Sequence, residues 1–140
     1  MKTLLALLLL IPSICFSKMI SLGSYMDKIV NYDDSSLFYI YTRCSGINYK
    51  VSDLSKNMPD LYQETNARFE RFFMLAIETR ARILPNETLD DHSRITGKTI
   101  TDIIDQYTII SNDYYIKNGN YFDDDMINDV KLCTQIDEMS

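Results

Sequence analysis

The segment Tyr39-Ile40-Tyr41-Thr42-Arg43-Cys44-Ser45-Gly46, YIYTRCSG, sets a cysteine beside an arginine and two residues before a glycine. Around it Leu37, Tyr41, Cys44, Ile47 or Asn48, Val51 and Leu54 recur at three- and four-residue steps, the spacing of one helical face. Cys44 therefore lies on the apolar stripe of a predicted helix. Cys133 occupies the matching position on a second stripe with Met126 and Val130. Two core-facing cysteines in a small domain are expected to meet, provided the compartment is oxidising.

The start of the chain speaks to that compartment. Met1-Lys2-Thr3 leads into an apolar run through Leu4 to Ile11, then Pro12, and Cys15-Phe16-Ser17 precedes Lys18. A charged start, a short apolar stretch and small residues before a cut after Ser17 are the layout of a signal peptide. The apolar run from Thr3 to Phe16 is shorter than the roughly 20 residues a membrane-spanning helix needs, so no stable membrane anchor is expected after cleavage. Ile14 before Cys15 argues against lipidation, which takes a small residue there. The expected address is secreted or periplasmic, with residues 1–17 as leader, 18–35 as an N-terminal arm and 36–140 as a helical domain.

Cleavage leaves 123 of the 140 residues, enough for a single core. Thirteen basic residues then stand against twenty acidic ones, a net charge of −7. No basic stripe for a phosphate backbone is present, so nucleic acid is not an expected partner. In an exported chain Cys44 and Cys133 are expected to form a disulfide, the alternative being two separate buried thiols. The bond would close a loop of 89 residues, for which chain entropy assigns about 4–5 kcal/mol. A structural zinc site lacks ligands, since only His92 and these two cysteines remain and no CxxC pair occurs. A reactive Cys44 would need Arg43 close to its sulfur, but adjacent helical residues point about 100° apart. Arg43 reads instead as a solvated or acid-paired surface residue.

The rest of the chain reads as helices. The first long one is expected to start in Asp33-Asp34-Ser35-Ser36 and fade near Lys56-Asn57. The second runs from Pro59 or Asp60 to Leu84, where Pro85 stops it. Glu64 with Arg68 and Glu78 with Arg82 form favourable i, i+4 pairs on it, and Leu61, Phe69, Phe72, Phe73, Ala76 and Ile83 form its apolar face. The third spans about Thr99 to Tyr115 and closes at Asn118-Gly119-Asn120, while the fourth begins at Asp123 and carries Met126, Val130, Cys133 and Ile136. Asn86 to Lys98 reads as a longer polar loop, and residues 18–35 as a strand, a helical turn or an extended arm. The fold class is all-α, a small bundle of about four helices with one disulfide. Gly46, costing about 1 kcal/mol inside a helix, marks a close helix contact or a bend.

No catalytic residue, cofactor or metal site is assigned. Asp91-His92-Ser93 holds the residue types of a hydrolase triad without a nucleophile motif such as GxSxG, and reads as a polar loop. Asp123-Asp124-Asp125 lacks the alternating ligands and central glycine of a calcium loop, and reads as helix caps and dipole partners. Asn86-Glu87-Thr88 is a formal glycosylation sequon. Tyrosine is abundant, with ten residues, and Tyr39, Tyr41, Tyr114 and Tyr115 are the candidate binding residues because amphipathic rings suit binding surfaces.

The leader LLALLLLIPS, the helix segment YIYTRCSG and the later VKLC resemble small exported helical proteins of AT-rich marine bacteria and their phages. The resemblance covers about a third of the chain. It implies an exported address and a helical fold, and supplies no activity or site residue. The expected function is an exported, non-catalytic module that binds another protein; the alternative is a small hydrolase using the loop around His92.

Overall fold

The computed structural model describes residues 18–140, so the expected leader and its cleavage site lie outside the described residues. Those residues form five helices and no strand: α1 (Leu22–Met26), α2 (Asp34–Leu54), α3 (Pro59–Ile83), α4 (Leu89–Asn118) and α5 (Asp124–Met139). None of the described helices is long and apolar enough to cross a membrane.

The helix ends follow from local chemistry. Asp33 caps α2 by accepting from the Ser36 amide at 2.8 Å, and Asp123 caps α5 by accepting from the Met126 amide at 2.8 Å. Pro59 opens α3, whose last turn carries Arg80 and Arg82 where the dipole favours cations. Gly119 closes α4 in the left-handed conformation, φ 68°.

One expectation about a segment narrows and another changes. The arm at 18–35 contains the short helix α1, whose Leu22 is buried in the core, so the helices number five. The polar loop expected at Asn86 to Lys98 is mostly helix: α4 begins at Leu89, not near Thr99, capped by Thr88 accepting from the Asp91 amide. Its buried stripe is His92, Thr96, Ile100, Ile103, Tyr107 and Ser111. The helical spacing holds throughout, but the first positions are polar, so hydrophobicity alone conceals them.

Helix α2 is the centre of the bundle, buried on most sides from Ile40 to Ser52 and packed against α3, α4 and α5. Its buried polar side chains are served by backbone carbonyls: Thr42 donates to Tyr39, Asn48 to Cys44 and Ser45 to Phe69 on α3. The core gathers Leu22, Ile40, Ile47, Phe72, Ile103, Tyr107 and Met126 around the disulfide Cys44–Cys133, whose Cα atoms lie 5.3 Å apart. Around it Tyr41 packs on Phe72 and Phe69 stacks on Phe73, as the aromatic face of α3 implies. Ile83 departs from that face and is 37% exposed. Glu64 pairs with Arg68 as expected, but Arg82 reaches Asp34 at the start of α2, at 2.9 Å.

Gly46 is a close helix contact. A Cβ built there would lie 2.6 Å from Ile103 Cγ2 and 3.4 Å from Ile103 Cβ, on a β-branched side chain with little room to turn. Gly46→Ala is therefore expected to destabilise the domain by about 1–3 kcal/mol, although alanine is the better helix former. Urea denaturation of the variant checks this, and an unchanged or raised midpoint would show that α4 yields without cost.

Candidate functional site

The surface role expected for Arg43 is overturned: it is 1% exposed and paired with an equally buried Asp129 of α5, Nη2 to Oδ2 at 2.6 Å. Its Nε donates to the Tyr107 hydroxyl at 3.0 Å, and its Nη1 donates to the Ile20 carbonyl at 2.9 Å and the Tyr39 hydroxyl at 2.8 Å. Tyr107 in turn donates to Asp129 Oδ2 at 2.6 Å, and the Leu22 amide donates to Asp129 Oδ1 at 2.7 Å. Burial pushes the Tyr107 hydroxyl well above its ordinary pKa despite Arg43 beside it, so it remains a neutral donor. Burial also works against the Arg43 charge, but Tyr107, Tyr39 and Asp129 outweigh it and its proton is held more tightly than usual.

This cluster has the buried, perturbed groups of a catalytic site but not the freedom of one. The Tyr107 proton and both Asp129 oxygens are engaged, and the cavity above them holds about 10 Å³, one water at most. Its partners explain what it does. Ile20 and Leu22 are backbone groups of the N-terminal segment, so the ion pair is a clamp that fixes this segment against α2, α4 and α5. Cys44, beside Arg43, is oxidised and buried, which leaves no thiolate.

The clamp shapes a groove. Between the fixed N-terminal segment and the C-terminal half of α4 lies a cavity of about 520 Å³ with Met19, Ile109, Ile110 and Tyr114 as its apolar lining. Lys18, Lys117, Asp113 and Asp123 supply charge at its edges. The volume falls in the range of small-molecule and peptide-anchor sites. Ile109 is 60% exposed and adjoins the further apolar surface of Met19, Ile110 and Tyr114.

The expected binding tyrosines divide between two roles. Tyr39 packs on Tyr25 with the rings tilted, centroids 4.2 Å apart, and accepts from Arg43; Tyr41 packs on Phe72. Both are half-buried and serve the bundle. Tyr114 lines the groove, and its neighbour Tyr115 is exposed and stacked on Tyr121 at 4.2 Å. Asp129 and Ile109 went unassigned from sequence. Asp129 carried a signal, an acid on the same stripe as Met126 and Cys133, where an unpaired charge would be costly.

His92 is not on a loop. It lies in the first turns of α4, 3% exposed, with Nδ1 lacking a hydrogen-bond partner and Glu87 Oε2 at 3.7 Å. Asp91 turns away to Thr88 and Arg94, so Asp91-His92-Ser93 forms no relay. His92→Ala therefore removes a packed side chain, not a solvated one. Truncating a buried imidazole is expected to cost about 1–3 kcal/mol, read as a lower thermal midpoint. A midpoint within error of the parent would mean that this end of α4 carries little of the fold. Asp123 caps α5 with Asp124 and Asp125 in its first turn, and no cluster of three metal-ligating side chains occurs among the described residues. No family model matches this chain, and neither do curated proteins or solved structures.

Proposed function

We propose that the chain is an exported helical module that works by binding another protein, with the groove between Met19 and the end of α4 as the seat. The groove itself carries this reading: a 520 Å³ apolar concavity whose one wall is held by a buried three-residue clamp. A fixed wall lowers the ordering cost of binding, which is what a docking site needs and a mere surface does not. The disulfide and the leader-like start fit an oxidising compartment outside the cytoplasm, as does the resemblance to exported helical proteins. The hydrolase reading gains no support at His92, whose imidazole is buried away from Asp91.

A photoreactive amino acid at position 109 tests the reading in protein recovered from its native compartment. Covalent adducts are expected from position 109 and none from position 98, which is exposed on α4 but outside the groove. N-terminal sequencing of the same material is expected to begin at Lys18. Equal adducts from both positions, or none at 109, would defeat the binding site, and an intact Met1 would defeat processing.

A further inference from the structure

We infer that Leu89 to Thr96, the first turns of α4, form a strap that opens from the bundle as a unit about Gly97 while the rest of the helix stays docked. The two parts of α4 are held differently. The later part enters the core through Ile103, Tyr107 and Ile110, with Gly46 seated against Ile103 and Tyr107 bonded into the clamp. Before Ile100 the buried positions are His92 and Thr96, and the aliphatic residues are Leu89, 70% exposed, and Ile95, half-buried. The polar contacts of this part are local: Asp91 with Thr88 and Arg94, and His92 facing Glu87. Among the described residues, no strap side chain makes a hydrogen bond or ion pair to α2, α3 or α5.

Burial of the strap is also poorly compensated. His92 Nδ1 and Thr96 Oγ1 lie one turn apart on the buried stripe, and neither has a hydrogen-bond partner. Arg80 Nε, near the end of α3, is a third such atom. Glu87 Oε2 joins the two sides, 2.6 Å from Arg80 Nη2 and 3.7 Å from His92 Nδ1. Closed, the three atoms forgo water with nothing in return; open, water serves them and little apolar surface is given up. Ser111 Oγ is equally unpartnered, but it follows Tyr107 and Ile110, whose packing holds that end. Gly97 sets the boundary. A Cβ there would meet nothing within 4 Å, so unlike Gly46 it answers no close contact, and it weakens the helix just where the polar stripe gives way to Ile100. Opening uncovers the imidazole and Arg80 while the disulfide, the clamp and the groove stay in place.

Single cysteines test the strap, because the native pair is oxidised and does not react. Thr96→Cys and Ser111→Cys each place a thiol at a fully buried position of α4. With oxidised protein under native conditions, a maleimide is expected to label position 96 at least tenfold faster than position 111. Adding Gly97→Ala is expected to slow labelling at 96 about twofold to fivefold, the ratio given by alanine's helix preference over glycine, and to leave 111 unchanged. Equal rates at the two positions overturn the inference, as does a rate at 96 that Gly97→Ala leaves unchanged or raises. Hydrogen exchange of the unsubstituted chain supplies a second measurement. The amides of His92 to Thr96 are expected to share one degree of protection, at least tenfold below that of Ile103 to Ser111. A protection that climbs steadily inward from residue 92 would mean an end that frays without a hinge, and equal protection along α4 would mean a helix that opens only with the whole domain; either result removes the strap.

Discussion

Asp129→Ala is expected to destabilise the domain by about 3–5 kcal/mol, against a total that for a domain of this size is about 5–15 kcal/mol. The magnitude follows from what remains behind. The substitution leaves Arg43, 1% exposed, with its charge unpaired, frees the Leu22 amide, and deprives the Tyr107 hydroxyl of its acceptor. Arg43→Met with Asp129→Leu removes both charges together, and its cost is expected to be smaller than that of Asp129→Ala despite the extra change. Chemical denaturation of both variants checks the order. The N-terminal segment supplies a second readout, since the Leu22 amide loses its acceptor and is expected to exchange with solvent faster in Asp129→Ala. A loss under about 1 kcal/mol would mean that Arg43 finds water or another acceptor, contrary to its burial.

The clamp and the groove mark where the sequence ceases to be readable. Asp33 to Ser36, Pro59 and Pro85 bound α2 and α3 through short-range chemistry, and those helices fall where local rules place them. The cysteines were legible as a pair because each sits on an apolar stripe, a property visible over a dozen residues. Arg43 was not, because its partner is 86 residues away and nothing local separates a buried from a solvated arginine. The first turns of α4 were hidden for a related reason: His92 and Thr96 fill buried positions, so the stripe is periodic in burial but not in hydropathy. The groove lay furthest out of reach. Its wall is held by the Ile20 carbonyl and the Leu22 amide, which bond across the bundle to groups on α2 and α5, and by the burial of Leu22 in the core.

The disulfide ties the same two helices as the clamp, and the second large effect is expected there. Cys44 adjoins Arg43 on α2, and Cys133 lies one turn beyond Asp129 on α5. Opening a closed loop of 89 residues, by reduction or by Cys44→Ser with Cys133→Ser, is expected to lower stability by about 2–5 kcal/mol, through the greater freedom of the unfolded chain. Oxidised protein is expected to weigh about two daltons less than the dithiol and to show no maleimide-reactive thiol even when unfolded. Cys44→Ser alone is expected to express worse than the double change, since it frees Cys133 for pairing between chains. Combining the double change with Asp129→Ala measures how far the two ties share work. Both join α2 to α5, so their effects are not expected to add, and the residual coupling is expected to exceed about 0.5 kcal/mol. In that variant α5 has lost both its covalent and its ionic hold on α2, leaving apolar contacts such as Met126 and the pairing of Asp137 with Arg68 and Arg71 on α3. Helices α1 and α5, which pack together, are then expected to exchange their amides together and ahead of α2 and α3. Strict additivity of the two effects, with uniform exchange across all five helices, would show instead that the bond acts only on the unfolded chain and that the α2–α5 contact does not depend on it.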